Sequence, residues 1–352
     1  MYYYQYMLKL VPTTSKATTQ TSLGYRSMLV FLCVLALVAL AGCAGGGASV
    51  PSARATACLG AIAVSLSGCQ QSQIQPPAKA HTSFCVNVAH AWETTVSPID
   101  IRAAKFDCVR VDFRGGASSP FISRALAAGL KAVMISDTPT SADFADPSGY
   151  IAKITVGERA FPGQSWEFIP EPDVLMTAAQ YIALGQRVLP AMRQADPTAT
   201  LILGGVANGS TKIGATGGID FTWIRAVNPL YALVDEVGIH PYPPPWLDTP
   251  IASLPSVIAQ VAQITGKPTV VTEWGLAQQF APLKPGDPLP NPLTQAQAAE
   301  QIVQMLNTVD GFTPMFNVYE WDNRDDKWAG TEGFGIVGTP ELAAFTAARS
   351  AH

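Results

Sequence analysis

From residue 82 onward the chain repeats one unit eight times: a short apolar run rich in β-branched residues, a loop, and an amphipathic helical stretch. The runs fall at 84–88, 108–113, 131–135, 165–169, 200–203, 236–239, 269–272 and 316–319. Short runs with little polar alternation suit strands buried on both faces. Strands that alternate with helices build a parallel sheet. Eight such units in about 270 residues match the size at which that sheet closes on itself. An open doubly wound sheet is the competing arrangement, but no GxGxxG or P-loop pattern follows any run. The expected fold is α/β, a single (β/α)8 barrel over residues 82–352. Thr177…Gln180 and Thr294…Gln297 match capping boxes and mark two helix starts. The first of these helices should run to about Gln194 and kink at Pro190. The Pro-rich stretch 281–292 reads as a rim loop.

In such barrels the chemistry sits at the C-terminal ends of the strands. Two runs end in a carboxylate there: Trp166-Glu167-Phe168-Ile169-Pro170-Glu171-Pro172 and Thr269-Val270-Val271-Thr272-Glu273-Trp274-Gly275. Two carboxylates delivered to one end are the chemical minimum for cleaving a glycosidic bond. Glu167, inside its run, reads instead as a buried, paired structural acid. Arg110 lies within the second apolar run, where burial is costly unless a carboxylate meets it. Arg114 takes its place if that strand is rotated. The sixth run ends in His240-Pro241-Tyr242 and the eighth in Tyr319-Glu320-Trp321-Asp322. Aromatic rings such as Trp274 and Trp321 pack well on the C–H faces of sugars. Trp92, Trp246 and Trp328 are rim aromatics that either form outer subsites or simply pack. His90 ends the first run and divides evenly between site and structure. Asp322, Asp325 and Asp326 read as a solvated loop rather than a calcium site.

The net charge is −4 and no long basic run occurs, which argues against a nucleic-acid partner. No CxxC or Cys/His cluster occurs, so neither a metal nor a cofactor is expected. Arg26 precedes an apolar stretch at 28–40 that ends in Ala41-Gly42-Cys43. That is the pattern of a secretory signal, and it is short for a membrane span. Leu40-Ala41-Gly42-Cys43 resembles the bacterial lipobox. A second apolar run ends in Ser67-Gly68-Cys69, and the polar tether after it favours Cys69 as the lipidated residue. The expected organisation is an export region at 1–69, a tether at 70–81 and the barrel at 82–352. The partners are then a carbohydrate and a membrane reached through a lipid anchor. The protein is expected to be a monomer, exported to the cell envelope or beyond. Of six cysteines only Cys85 and Cys108 fall in the barrel, on strands expected to be neighbours. A disulfide is open to them in an oxidising compartment, though two inert buried thiols are the favoured reading.

The strand-end residues, taken in order, resemble the clan A glycoside hydrolases, retaining enzymes on a (β/α)8 barrel. The clan's fourth strand typically reads W-E-x-x-N-E-P, against Trp166-Glu167-Phe168-Ile169-Pro170-Glu171-Pro172 here. His240-Pro241-Tyr242 matches the sixth strand, Thr272-Glu273-Trp274-Gly275 the seventh, and Trp321 the eighth-strand tryptophan. Ala195-Asp196-Pro197 and Gly333-Phe334-Gly335-Ile336-Val337 look like segments of family 39 and family 5 members. The resemblance implies Glu171 as acid/base, Glu273 as nucleophile, and Arg110 and Tyr242 as hydrogen-bond partners of Glu273. His240 would line the site without carrying the proton, and the Glu171 pKa should be raised by burial and by Glu273. Trp321 would floor the innermost sugar subsite. The clan's asparagine before the acid/base is Pro170 here, which offers no amide. Asn208 is a replacement donor on the fifth strand. A catalytically inactive sugar-binding lipoprotein on the same barrel is the alternative that Pro170 favours.

Overall fold

Each apolar run pairs in parallel with the next, and the last returns to the first, closing an eight-stranded barrel. The structure, a computed structural model, describes residues 81–89, 93–207, 219–243, 249–278, 293–322 and 333–351. The strands are β1 (Ser83–Val88), β2 (Cys108–Asp112), β3 (Lys131–Ile135), β4 (Ser165–Phe168), β5 (Thr200–Val206), β6 (Glu236–Ile239), β7 (Thr269–Trp274) and β8 (Met315–Val318). The helices around them are α1 (Pro98–Ala103), α2 (Ser119–Ala127), α3 (Ser141–Ala145), α4 (Ser148–Ala160) and α5 (Pro172–Leu175). There follow α6 (Ala178–Ala195), α7 (Phe221–Ala226), α8 (Leu254–Thr265), α9 (Gln295–Val309) and α10 (Pro340–Ala351).

Both expected capping boxes form. Thr177 and Thr294 each accept from the backbone N–H three residues on, and Gln180 and Gln297 reach back to the cap. This satisfies donors that the first helical turn leaves unpaired. The helix α6 passes through Pro190 and continues to Ala195 as one element.

Side chains alternate faces along a strand, and that alternation builds the barrel's interior in layers. Cys85, Cys108, Val133, Ile202, Val270 and Met315 form a separate apolar cluster low in the barrel. Two residues further along four of those strands stand Asn87, Arg110, Thr272 and Asn317, all buried. The interior therefore turns from apolar to polar towards the C-terminal ends of the strands. Outward-facing residues such as Phe84, Val109, Trp166, Phe168 and Phe316 join the helices in the main core.

Cys85 and Cys108 are direct partners in the β1–β2 register. They form a disulfide, which corrects the favoured expectation of two free thiols. Both point into the barrel at one level, a juxtaposition that depends on register and so escapes a reading of the separate strands. Residues 1–80, with the expected export segments and with Cys43 and Cys69, lie outside the described residues. No helix among the described residues is long and apolar enough to cross a membrane.

Candidate active site

Arg110 is the centre of the polar layer. It projects inward from β2 and is fully buried. Its Nε donates to Glu167 Oε2 at 2.7 Å, and its Nη1 donates to Glu273 Oε1 at 2.6 Å and to Asn87 Oδ1 at 3.0 Å. Burial works against the guanidinium charge, but Glu167 and Glu273 outweigh it and hold Arg110 firmly protonated. Arg114 instead pairs with Asp112 near the surface, so the strand is not rotated.

Glu273, near the end of β7, also accepts from Tyr242 Oη at 3.1 Å. Its side chain is 15% exposed. Two donors from two other strands thus fix the carboxylate while leaving it open to the barrel mouth. Burial pushes the Tyr242 hydroxyl well up, with Glu273 adding to the effect, so it stays a donor.

Glu171 arrives by a different route. The chain leaves β4 with Ile169 at φ 57° and Glu171 at φ 49°, both left-handed, on either side of Pro170. The Glu171 N–H donates to Gly205 O at 2.9 Å, anchoring the turn to β5. Its side chain is 35% exposed, and its Oε1 lies 3.4 Å from His240 Nδ1. His240 is fully buried, 3.6 Å from Glu273 and 3.8 Å from Glu167. A Cβ on Gly205 would stand 2.2 Å from His240 Nε2, so only glycine leaves the ring its place.

The protonation of these groups departs from expectation. Burial alone would lower the His240 pKa, but Glu273, Glu167 and Glu171 push it up to about 10. Burial likewise pushes Glu171 up, yet the hydrogen bond and charge of His240 outweigh it and hold Glu171 below the usual range. The raised Glu171 expected from the sequence is thereby corrected. That expectation left out the imidazolium delivered from 69 residues further along the chain. Glu167 is held well below the usual range: burial opposes this, and Arg110 and His240 prevail.

The two expected tryptophans stand elsewhere. Trp274 follows Glu273 on β7, so alternation turns it outward, where it is fully buried edge-on against Phe316. Trp321 is 5% exposed and packs edge-on against Phe106. Neither offers a face to a sugar. Among the described residues, Tyr319 is an aromatic at the mouth, partly exposed, with edge contacts to Tyr242 and Phe334. It is the first residue beyond β8, which ends one residue before the expected strand. Counting from the strand end was the signal that would have found it. Asn208, His90, Trp92, Trp246, Trp328, Asp325 and Asp326 lie outside the described residues.

Atoms of Glu171, His240 and Glu273 lie within 4.8 Å of one another, a spacing that could also hold a metal ion. The Arg110 guanidinium already occupies one Glu273 oxygen, however, and would repel a second cation. The arrangement is one of paired carboxylates: one aimed by Arg110 and Tyr242, the other coupled to a proton on His240.

The fold class follows from solved structures. Those that this barrel resembles are clan A glycoside hydrolases. The family 39 glycoside hydrolase of Bacteroides cellulosilyticus WH2 is similar at TM-score 0.55 and 18% identity, over 77% of this chain. Fungal β-1,4-galactanases match at TM-score 0.58 and 14% identity, over 77% of this chain and 99% of theirs. The endo-1,4-β-mannanase of Rhizomucor miehei matches at TM-score 0.53 and 15% identity, over 78% of this chain and 95% of that one. The chain spans 64% of the length of the Bacteroides enzyme. At these identities the likeness is one of fold. No protein-family model and no curated protein sequence matches the chain.

Proposed function

We propose that the protein is a retaining β-glycoside hydrolase acting on a polysaccharide or oligosaccharide. The observation that carries this reading is the carboxylate pair at the barrel mouth, with oxygens of Glu171 and Glu273 within 4.8 Å. Retaining enzymes hold their carboxyl groups about 5–5.5 Å apart, closer than a mechanism with an intervening water allows. Glu273 attacks the anomeric carbon as the bond to the leaving oxygen breaks, and Glu171 gives that oxygen a proton. Water then cleaves the glycosyl ester on Glu273 and returns a proton to Glu171. His240, 3.4 Å from Glu171 and pushed up to about 10 by the carboxylates around it, is the group in this reading that supplies Glu171 with its proton. A bound sugar covers the exposed part of Glu171, and the added desolvation draws the proton across.

The fold neighbours named as a β-mannanase and β-galactanases support a β-linked glycan as substrate. The signal-like N-terminus, the lipobox match at Cys69 and the Cys85–Cys108 disulfide support an exported, lipid-anchored protein. Pro170 favours a second reading, a sugar-binding barrel without activity, because it removes a donor for the 2-hydroxyl of the cleaved sugar. The test is reducing-end release by the purified protein across β-linked mannans, galactans, glucans and xylans, beside Glu273→Gln. Release that vanishes in the variant supports the hydrolase. Glycan binding without release from any substrate would transfer the assignment to the binding protein.

A further inference from the structure

Glu167 has no surface and no route to a substrate, yet its two oxygens divide between the two catalytic groups. We propose that Glu167 is the positioning residue that aims both carboxylates, holding Arg110 against Glu273 with one oxygen and the backbone of Gly205 against Glu171 with the other. This rests on the hydrolase reading of the site and adds a role that a merely buried, paired acid does not have.

On one side, Oε2 accepts Arg110 Nε at 2.7 Å while Arg110 Nη1 holds Glu273 at 2.6 Å. A guanidinium is a rigid plane, so fixing its Nε fixes the direction in which Nη1 points. On the other side, Oε1 accepts the Gly205 N–H at 3.0 Å, and the Gly205 carbonyl accepts the Glu171 N–H at 2.9 Å. The same Oε1 lies 3.8 Å from His240 Nε2, whose Nδ1 faces Glu171. Gly205 is the residue that admits this ring, because a Cβ there would overlap it. One carboxylate on β4 therefore sets the direction of a nucleophile on β7 and of an acid beyond β4. A buried ion pair is weak support for stability alone, since apolar replacements often serve as well. Its shared geometry is what gives this one a use.

The test needs a readout that holds even if no glycan is found. Ring nitrogens of His240 are followed by NMR titration in the full-length protein and in Glu167→Gln, with hydrogen exchange at the Gly205 amide beside it. The charged groups that face His240 are Glu167 and Glu171 from the β4 end, Glu273 from β7 and Arg110 from β2, with Tyr242 next to Glu273. Removing the Glu167 charge is expected to lower the His240 midpoint by about one unit or more and to speed Gly205 exchange. On a substrate that the wild type cleaves, kcat is expected to fall about 100-fold while KM moves less than about threefold. A folded Glu167→Gln protein with unchanged His240 midpoint and Gly205 exchange overturns the proposal. If that variant does not fold, Glu167→Asp replaces it: the charge remains, but the shortened carboxylate reaches Arg110 or Gly205 and not both. Faster exchange at either the Gly205 amide or the Arg110 Nε–H, with the His240 midpoint retained, then supports the proposal, and unchanged exchange at both overturns it. If the wild type cleaves no glycan, the hydrolase reading fails separately, and the NMR and exchange arms still decide the role of Glu167.

Discussion

Replacing Arg110 with methionine removes the guanidinium from the polar layer while keeping the length and much of the volume of the side chain. Arg110 is fully buried and serves two carboxylates, of which Glu167 is fully buried and Glu273 is 15% exposed. Breaking a buried pair by deleting one partner costs about 3–5 kcal/mol, because the charge left behind stays desolvated. Glu167 keeps the Gly205 N–H and Glu273 keeps Tyr242, so the lower part of that range, about 3–4 kcal/mol near neutral pH, is expected for Arg110→Met. The cost should also depend on pH, and its sign can be worked out. In the wild type the Glu167 pKa lies below its unfolded value, so its contribution is present above about pH 4.5 and lost as pH falls through the folded value. Without Arg110, burial is opposed by His240 and no longer by the guanidinium, and the Glu167 pKa is expected to rise above the unfolded value. The variant then regains stability as pH falls and Glu167 takes up a proton. The difference between the two proteins should accordingly shrink by about half or more between pH 7.5 and pH 4.5. Urea or guanidinium unfolding at both pH values and one between them measures it. A difference below about 1 kcal/mol, or one that is flat with pH, would refute the account of the polar layer given above.

Other outcomes follow from single features. Glu158 is fully buried and its pKa is pushed up to about 8, by burial first and by Asp196 second. Its contribution is full below about pH 4.5 and fades as pH rises through about 8, so Glu158→Gln should gain on the wild type by up to about 5 kcal/mol at pH 9. Equal stability differences at pH 5 and pH 9 would sink that reasoning. The Cys85–Cys108 bond closes a loop of sequence separation 23, which by chain entropy corresponds to about 3 kcal/mol. Denaturation of Cys85→Ala/Cys108→Ala should give that loss, and the same midpoint as the wild type would count against it. Tyr319→Ala should weaken glycan binding about tenfold or more, by calorimetry, with little change in melting temperature. Trp321→Phe should do the reverse, and the opposite pairing would restore Trp321 to the site.

The barrel was legible because its strands announce themselves: runs such as 131–135 and 269–272 have the β-branched, unalternating character of strands covered on both faces. The caps at Thr177 and Thr294 were legible because a capping box is local chemistry, complete within four residues. Glu171, Glu273, His240 and Tyr242 come together because each sits at or near a strand end, which a closed barrel brings to one mouth, and Arg110 reaches them from the middle of β2. Trp274 went astray through adjacency: a neighbour in sequence on a strand faces the opposite way, and alternation from Glu273 already implied that. Trp321 and Tyr319 were exchanged by a strand end displaced by one residue. The disulfide and the depressed pKa of Glu171 were not legible, for a common reason. Both arise from the register and spacing of groups far apart in the chain, Cys85 with Cys108 and Glu171 with His240.

The left-handed backbone at Glu171 has a consequence of its own. For an L-residue with a side chain that conformation costs about 1–2 kcal/mol, and glycine at the same place would be free of it. The hydrogen bond from the Glu171 N–H to Gly205 is a backbone contact and would survive the exchange. Judged by backbone strain alone, residue 171 is therefore a site where the simplest residue does better than the one present. Glu171→Gly should melt higher than the wild type if the strain exceeds what the contact with His240 contributes. A laboratory selection for heat resistance that ignored activity would be expected to discard this glutamate early. A glutamate at this place carries a backbone cost that glycine would not, and that cost is what holds a carboxylate at the rim.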